Sequence, residues 1–387
     1  MTATPLALHI DCDFDAGNIE VIDASDPTDI RLRIRADTAS AHFQWFHFKV
    51  QGLIPGQPYR FVLENAGQSS YPTAWQGYDA VASHDQQAWF RVPSDFDGQA
   101  LSFTLTAQDD TAWFAYFEPY PRARHHQLIE KALAHPATTL LASGRSVEGR
   151  DIPLLRVGDG ATHKRKLWLI AQQHPGEHMA EWFMEGLIEH LVAPTPGIQR
   201  LLDAADLYLI PNMNPDGAWR GHLRTNLKGV DLNRAWQQAS LEESPEVFFA
   251  KAQMQQYGVD AFIDVHGDEE IPHVFVAACE GNPGYTPRIA HLETCFRETL
   301  CAVTPDFQTT HGYLRDQPGH ANMALACNAV GQAYDCLSLT LEMPFKDHDD
   351  APNALTGWSG ERSKALAGAV LETLERLVGE LRQPGMP

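Results

Sequence analysis

The feature that most constrains the fold is a change of sequence texture at residues 118–122, where two prolines interrupt the chain. Before it, short apolar and β-branched runs alternate with turn residues; examples are 30–34, 43–50, 59–63 and 101–105. Period-two alternation broken by frequent turns is typical of antiparallel sandwiches. The sequence therefore predicts an all-β sandwich domain over residues 1–118.

After residue 119, apolar runs that suit buried strands alternate with helical patterns. The predicted strands are 154–157, 166–171, 206–210, 261–265, 274–278 and 337–341, and the predicted helices are 124–135, 179–192, 245–257, 286–302 and 361–382. Strands that alternate with helices predict an α/β domain, here over residues 119–387. In such a domain the ligand site lies at the carboxyl ends of the strands.

Composition narrows the classes of partner. The chain has 387 residues, a net charge of −21 and 44% apolar residues. No basic stripe is available to bind nucleic acid, and no apolar run reaches the roughly 20 residues of a membrane span. We therefore expect neither nucleic acid nor membrane as a partner, and the sequence makes no prediction of oligomeric state.

The cysteines and the N-terminus predict a cytoplasmic protein. The six cysteines form no CxxC pair, which favours free thiols in a reducing compartment over disulfides or a cysteine-held zinc. Residues 1–20 are acidic and lack the basic start and apolar core of a signal peptide.

Polar residues follow several of the predicted strands. His174 and Glu177 come directly after the strand 166–171, three residues apart with a glycine between them, so both can point at one metal ion. His266 ends the strand 261–265, and Glu342 ends the strand 337–341. A histidine and a glutamate joined by a third ligand would form a catalytic zinc site with one position open for water.

Two further polar segments lie between these strands. Residues 212–217 follow the strand 206–210, and Arg224 precedes the segment 229–234. Each feature alone has an ordinary structural explanation, such as a turn, an ion pair or a strand end facing water. Their occurrence together and in this order is what indicates a site.

The ordered set HPGE (174–177), NPDG (214–217), Arg224, GVDLNR (229–234), His266 and Glu342 resembles the M14 family of zinc metallocarboxypeptidases, and most of all its cytosolic carboxypeptidase-like branch. The resemblance covers residues 143–345. It implies a catalytic domain built on a mixed sheet flanked by helices, preceded by a β-sandwich.

The resemblance also implies roles for individual residues. His174, Glu177 and His266 match the three ligands of one Zn²⁺. Glu342 matches the general base that, with zinc-activated water, hydrolyses the C-terminal peptide bond of a peptide or protein. Arg224 matches the arginine that stabilises the developing oxyanion.

Asn233 and Arg234 match the pair that binds the free carboxylate of the substrate, because a guanidinium can hold a carboxylate with two hydrogen bonds. Arg220 and His222 are alternatives to Arg224, although the spacing to Asn233 favours Arg224.

Some positions are less defined. Asp264 would share a strand face with His266 and could orient a histidine, whereas His178 is expected to be structural. At the spacing of the mobile tyrosine of secreted members stands His320, with Tyr313 as an alternative. The acidic run 267–270 replaces a Ser-Tyr pair of those members and could repel acidic substrates or face solvent.

Two other functions compete with the carboxypeptidase. One is an aspartoacylase-like zinc amidohydrolase acting on N-acyl amino acids, against which the NPDG turn and the leading β-sandwich argue. The other is a partner-binding protein whose zinc site is vestigial. The preferred C-terminal side chain is not predicted; Arg315 could favour acidic ones, but an exposed arginine is equally consistent.

Overall fold

A computed structural model describes residues 8–382 of the chain. Residues 1–7 and 383–387, the outer ends of the two predicted domains, lie outside the described residues.

The N-terminal part is all β apart from two short 3-10 turns. Its strands are β1 (His9–Asp11), β2 (Glu20–Asp23), β3 (Ile30–Arg33), β4 (His47–Gln51), β5 (Pro58–Leu63), β6 (Ala80–Ser83), β7 (Phe90–Val92), β8 (Ser94–Phe96), β9 (Leu101–Thr106) and β10 (Thr111–Ala115). They form two five-stranded sheets, ordered β1-β4-β10-β6-β7 and β2-β3-β5-β9-β8. The predicted all-β architecture is confirmed. The expectation of purely antiparallel pairing is wrong for one pair, because β3 and β5 run parallel.

The rest of the chain surrounds one mixed sheet. Its strands are β11 (Thr138–Arg145), β12 (Asp151–Val157), β13 (Arg165–Ala171), β14 (Ala205–Ile210), β15 (Ala261–Asp268), β16 (Phe275–Ala277) and β17 (Leu337–Pro344), in the order β11-β12-β14-β13-β15-β17-β16. Pairing is parallel from β14 to β17 and antiparallel at both edges. The predicted α/β class is confirmed.

The helices are α1 (Arg122–Leu133), α2 (His178–Val192), α3 (Pro196–Ala204), α4 (Pro215–Arg220), α5 (Pro245–Tyr257), α6 (Pro287–Val303), α7 (Ala326–Tyr334) and α8 (Gly360–Leu377). All five predicted helices are present. The sequence prediction omitted β11, whose residues are mostly exposed and lack apolar periodicity, and the short helices α3, α4 and α7.

The two parts share a continuous apolar core. Tyr116, just after β10, stacks on Phe345 at the end of β17 with ring centroids 4.6 Å apart. The buried guanidinium of Arg91 donates hydrogen bonds across the boundary to the carbonyl oxygens of Phe345 and Trp358. The sandwich is therefore packed against the domain that carries the predicted site.

Two further findings concern the described residues. None of their helices is both long and apolar enough to cross a membrane. All six cysteines are free; Cys279, Cys327 and Cys336 are buried, whereas Cys301 is exposed.

Candidate active site

The predicted ligands meet at the carboxyl edge of the mixed sheet. His266 in β15 pairs directly with Glu342 in the neighbouring parallel strand β17. The turn after β13, on the other side of β15, carries His174 and Glu177, and α2 begins at the next residue. All four side chains are buried. Parallel order thus brings together residues that are far apart in the chain.

Three donor atoms converge at this edge. The Nδ1 atom of His174 lies 2.6 Å from Oε1 of Glu177 and 3.2 Å from Nδ1 of His266, which is 2.8 Å from Oε2 of Glu177. Burial opposes ionisation of Glu177, yet the imidazoles of His174 and His266 hold its pKa at about 2. An ionised carboxylate and two facing ring nitrogens suit a divalent cation between them.

A carboxylate lies behind each histidine. Asp231 Oδ1 is 3.0 Å from Nε2 of His174, and Asp264 Oδ2 is 2.8 Å from Nε2 of His266. Such partners fix the tautomer and ring orientation that present Nδ1 to a metal. The predicted contact of Asp264 with a histidine is present. Asp231 was missed, although it lies inside the GVDLNR motif.

The turn that carries His174 is supported from several sides. Gln172 has a left-handed backbone (φ 56°), and its amide bonds the Pro175 carbonyl and the Asn212 side chain. At Gly176, a Cβ would lie 2.9 Å from the Leu223 carbonyl oxygen, so only glycine fits without a shift. The NPDG segment, predicted as a turn, starts helix α4, with Asn214 as its N-cap.

His178 has the structural position that we expected. Its ring is buried, stacks on Trp45 of the sandwich with centroids 4.2 Å apart, and accepts a hydrogen bond from the backbone of Tyr120. Burial lowers its pKa to about 3, so the imidazole is neutral at ordinary pH.

Glu342 faces this cluster, with one oxygen atom, Oε2, buried and without a hydrogen-bond partner among the described residues. Burial raises the pKa of Glu342, and the nearby carboxylate of Glu177 adds to the effect. The hydroxyl of Tyr313 lies 3.3 Å from Oε1 of Glu342 and donates to Asp268 at 2.6 Å. Of the two alternatives from the sequence, both of which are exposed, Tyr313 therefore has its hydroxyl beside Glu342.

Arg224 lies beside the same cluster and is mostly buried. Its Nε donates to Oδ2 of Asp231 at 2.8 Å, and its guanidinium lies 5.8 Å from the ring centroid of Tyr71. The two alternatives are engaged elsewhere: Arg220 pairs with Glu148 at the surface, and His222 bonds Thr225 and the sandwich.

Asn233 and Arg234 differ in exposure. Asn233 is buried, accepts from the backbone of Ala326 at 2.8 Å, and its Nδ2 is 3.5 Å from Nε2 of His266. Arg234 is exposed, and its guanidinium forms no ion pair with a carboxylate of residues 8–382. Its Nη1 donates to the carbonyl oxygen of Asn233 at 3.0 Å, and a cation that lacks such a carboxylate partner can accept an external carboxylate.

The acidic run 267–270 is only partly solvent-facing. Asp268 and Glu269 are buried, and burial raises the pKa of both carboxyls. Glu270 contacts Thr73 of the sandwich. Arg315 is exposed and lies 3.4 Å from Glu280. The expectation that the run simply faces solvent is wrong for Asp268 and Glu269.

Two other clusters could in principle hold a metal: His273–His348–Asp350 and His291–Cys295–Glu380. In the first, both ring nitrogens of His348 already bond the backbone, one to Asp350 and one to Asp306. The second lies at the surface. Of the three clusters within residues 8–382, the one at the sheet edge alone has a carboxylate behind each histidine (Asp264 buried, Asp231 mostly buried), a carboxylate facing it and an arginine beside it.

These features define the class of protein as a metal-dependent hydrolase built on an α/β sheet. Residues 10–117 match a family model described as the cytosolic carboxypeptidase N-terminal domain, and residues 126–335 match the zinc carboxypeptidase model. The second match covers more than half of the chain. The chain therefore belongs to the M14 family of zinc carboxypeptidases, which makes it a zinc-dependent hydrolase of peptide bonds.

Individual relatives agree with this family. The chain is 44% identical over 377 residues to an uncharacterized protein of Zymomonas mobilis, covering 97% of this chain and 98% of that protein. It is 28% identical over 323 residues to human cytosolic carboxypeptidase 1, covering 70% of this chain but 26% of the human protein. The chain thus spans about a quarter of the length of that relative.

Solved structures are similar over nearly the whole chain. A metallo-carboxypeptidase from Pseudomonas aeruginosa, in complex with (2-guanidinoethylmercapto)succinic acid, is 62% identical with a TM-score of 0.95, covering 97% of this chain and 100% of that one. A metallo-carboxypeptidase from Burkholderia cenocepacia is 42% identical with a TM-score of 0.93, covering 96% and 99%. Both are described as metallo-carboxypeptidases, which agrees with the carboxypeptidase predicted from the sequence and gives no support to the aspartoacylase-like alternative.

Family membership implies one zinc ion per chain. The donor set of two imidazoles and one carboxylate fits a catalytic zinc, which uses three protein ligands and keeps a further position open.

Proposed function

We propose that this chain is a zinc-dependent carboxypeptidase in which His174, Glu177 and His266 hold the metal and Glu342 is the general base. The observation that carries the proposal is the convergence of the three donor atoms, with Glu342 paired in register beside His266. The substrate is the C-terminus of a peptide or protein.

When bound, zinc supplies a Lewis acid that activates water and polarises the scissile carbonyl. The buried Oε2 of Glu342 accepts a proton from the attacking water. This oxygen atom has no hydrogen-bond partner among the described residues. It delivers that proton to the departing amine. A base whose pKa is raised by burial is better matched to this exchange near neutral pH than an exposed carboxylate.

Arg224 stabilises the negative charge that develops on the carbonyl oxygen. Burial opposes the charge on its guanidinium, but the neighbouring acidic groups, with Asp231 the strongest, together outweigh burial and raise the pKa of Arg224, so the side chain stays a cation. A fixed cation in a site that excludes water stabilises such charge more strongly than one in water.

Asn233 and Arg234 bind the free carboxylate of the substrate and so restrict cleavage to the last residue. The guanidinium of Arg234 has the two-pronged donor geometry that suits a carboxylate. Tyr313, whose hydroxyl lies between Asp268 and Glu342, covers the substrate on the other side.

We also propose a domain boundary and a location for the protein. The chain divides after residue 118, a division supported by the end of β10 at Ala115 and the start of α1 at Arg122. Its location is the cytoplasm, which is supported by six free cysteines and by a sandwich of the kind named for cytosolic carboxypeptidases.

Glu342→Gln tests the proposal most selectively, because the change keeps the shape of the side chain and removes its basicity. Bound zinc should remain at one per chain, while turnover of a peptide with a free C-terminus falls by at least about 100-fold. The same substitution at the exposed Glu298 is the matched control and should leave turnover unchanged. Full turnover in Glu342→Gln would remove this residue from the role of base.

A further inference from the structure

We propose that the N-terminal sandwich is part of the active centre, because its residues Asp37 and Tyr71 position Arg224. The inference rests on the proposed role of Arg224 in stabilising the oxyanion. Among the described residues, neither side chain forms a hydrogen bond with His174, Glu177 or His266, and we treat both as positioning residues that act through Arg224.

The evidence begins with the segment that carries Arg224. Residues 221–229, here called the arginine segment, form no regular helix and belong to no strand of the mixed sheet. An irregular segment has few internal hydrogen bonds, so its backbone polar groups need partners from elsewhere. In this protein the sandwich supplies the acceptors for the three amides of residues 223–225, at the centre of the segment, whereas the N–H groups of Gly221, His222, Asn226 and Gly229 bond carbonyl oxygens of residues 217–230.

Asp37 is the main partner of the arginine segment. Its side chain is buried; Oδ1 accepts from the backbone N–H of Leu223 at 2.7 Å, and Oδ2 accepts from those of Arg224 and Thr225 at 2.8 Å each. The hydroxyl of Thr225 donates to the same Oδ2 at 3.1 Å. A single carboxylate thus holds three consecutive amides centred on Arg224, and charge-assisted hydrogen bonds of this kind are about twice as strong as neutral ones.

Two glycines fit the ends of the arginine segment to the sandwich. Gly221 and Gly229 both have left-handed backbones, with φ of 66° and 75°. A Cβ at Gly221 would lie 2.8 Å from the carbonyl oxygen of Ala16, and one at Gly229 would lie 2.2 Å from that of Ala39. The segment therefore lies directly on the backbone of the sandwich at both ends.

Tyr71 contacts the side chain of Arg224. The guanidinium lies 5.8 Å from the centroid of its ring, within the range of a cation–π interaction. The backbone of Tyr71 is itself held by the buried amide of Gln44, which accepts from its N–H at 2.9 Å and donates to its carbonyl at 3.2 Å.

These contacts leave part of the guanidinium available. The Nε of Arg224 donates to Asp231, and the ring of Tyr71 lies near the guanidinium. The Nη1 and Nη2 atoms donate to no acceptor within residues 8–382. The two free nitrogens are the donors that a substrate oxygen would use. If Asp37 or Tyr71 were lost, Arg224 would keep its charge but lose its fixed direction, which lowers kcat more than it raises KM.

The experiment is a double-mutant cycle between Asp37→Asn and Arg224→Gln in the full chain. Asparagine keeps the shape of Asp37 but offers a donor where the amides need an acceptor. Arg224→Gln should lower kcat by about 10²–10³-fold, and Asp37→Asn should lower it by at least about tenfold with zinc content unchanged. The double variant should be no slower than Arg224→Gln alone, because Asp37 acts only through Arg224.

The matched control is Asn18→Ala, which removes another buried contact between the sandwich and this segment, the 2.8 Å bond to the Gly221 carbonyl. It should lower stability and leave kcat near the wild-type value. Losses that multiply in the double variant, or a wild-type kcat in Asp37→Asn, would overturn the inference.

Tyr71 provides a second test that does not depend on Asp37→Asn folding. Tyr71→Phe keeps the ring and should retain kcat, whereas Tyr71→Leu should lower it; equal kcat in the two variants would count against positioning by the ring. Failure of the proposed function would be recognised separately, as full turnover in Glu342→Gln or Arg224→Gln. If Glu342→Gln and Arg224→Gln lose kcat while Asp37→Asn and Tyr71→Leu keep the wild-type kcat, the role of the sandwich is rejected and the proposed function stands.

Discussion

The metal ligands and the arginine segment lie side by side but are built differently. His266 and Glu342 stand on central parallel strands, and His174 follows a third. Arg224 stands on an irregular segment supported by a carboxylate 187 residues earlier in the chain. The first region is held by the sheet of its own domain, and the second by the neighbouring domain. We infer that metal binding and oxyanion stabilisation can be separated by mutation.

Loss of a metal ligand should have the largest effect. His266→Ala leaves two of the three donors, so zinc affinity should fall by more than the roughly 10–100-fold that loss of a supporting carboxylate costs. Metal analysis after dialysis and a peptidase assay measure the two losses. Retention of stoichiometric zinc would contradict the ligand set.

Arg234→Gln should act on substrate recognition without touching the metal. A hydrogen bond to a charged group is worth about 1.5–3 kcal/mol, so kcat/KM for a free C-terminus should fall by about 10–100-fold. Slow cleavage of the C-terminally amidated peptide should be unaffected, which makes it the internal control. An equal fall in kcat/KM for both peptides would show that Arg234 does not bind the terminal carboxylate.

Substitutions of Asp264 and Asp231, the carboxylates behind the two histidines, should distinguish effects on the metal ligands from effects on Arg224. Asp264 touches only the ligand side, so Asp264→Asn should weaken zinc binding by about tenfold and leave kcat of the fully loaded enzyme nearly unchanged. Asp231 touches both His174 and Arg224, so Asp231→Asn should weaken zinc binding and also lower kcat at saturating zinc. Zinc titrations followed by kinetics distinguish these outcomes; identical behaviour of the two variants would argue against the separation.

The smallest expected effect is on the pH dependence of stability, through Glu246 in α5, which contacts the arginine segment. Glu246 is buried and accepts a hydrogen bond from Asn226 at 3.3 Å; burial raises its pKa to about 7. In the unfolded chain the carboxyl ionises near its ordinary value, so the folded state binds the extra proton. The free energy of unfolding should therefore fall as pH rises from about 4.5 to 7, by about 1–3 kcal/mol from this group.

Glu246→Gln should remove that part of the pH dependence. Relative to the wild type, the free energy of unfolding of the variant should therefore be higher at pH 8 than at pH 5. Urea unfolding of both proteins at the two pH values is the measurement. An unchanged pH dependence would show that Glu246 is not the group responsible.

The two regions also differ in how far sequence could predict them. The ligands were predictable because each ends an apolar run, and parallel strands bring their carboxyl ends to one edge. That rule predicts the positions of His266 and Glu342, and the period of two along a strand predicts that of Asp264. The roles of His266 as a ligand and Glu342 as the base came from the resemblance to the M14 family. Local pattern did not extend to Asp268 at the end of β15, which is buried and not exposed to solvent.

The support of Arg224 was not predictable in this way. Asp37 lies in a loop of the sandwich with no motif around it, and its contact with residues 223–225 depends on how two domains pack. Tyr313 was an alternative to His320 in sequence because its loop has no periodicity; only the fold brings its hydroxyl to Glu342. Asp231 is part of the GVDLNR motif, but nothing in its spacing indicated a contact with His174.

The central claim is tested most directly by titrating zinc into chelator-stripped protein while the release of the C-terminal residue from a peptide is followed by mass spectrometry. The account predicts no release without metal, and activity that rises with zinc and saturates at one ion per chain, with the last residue leaving much faster from a free C-terminus than from an amidated one. Release that persists in the stripped protein, or cleavage at internal bonds with an amidated terminus, would contradict it.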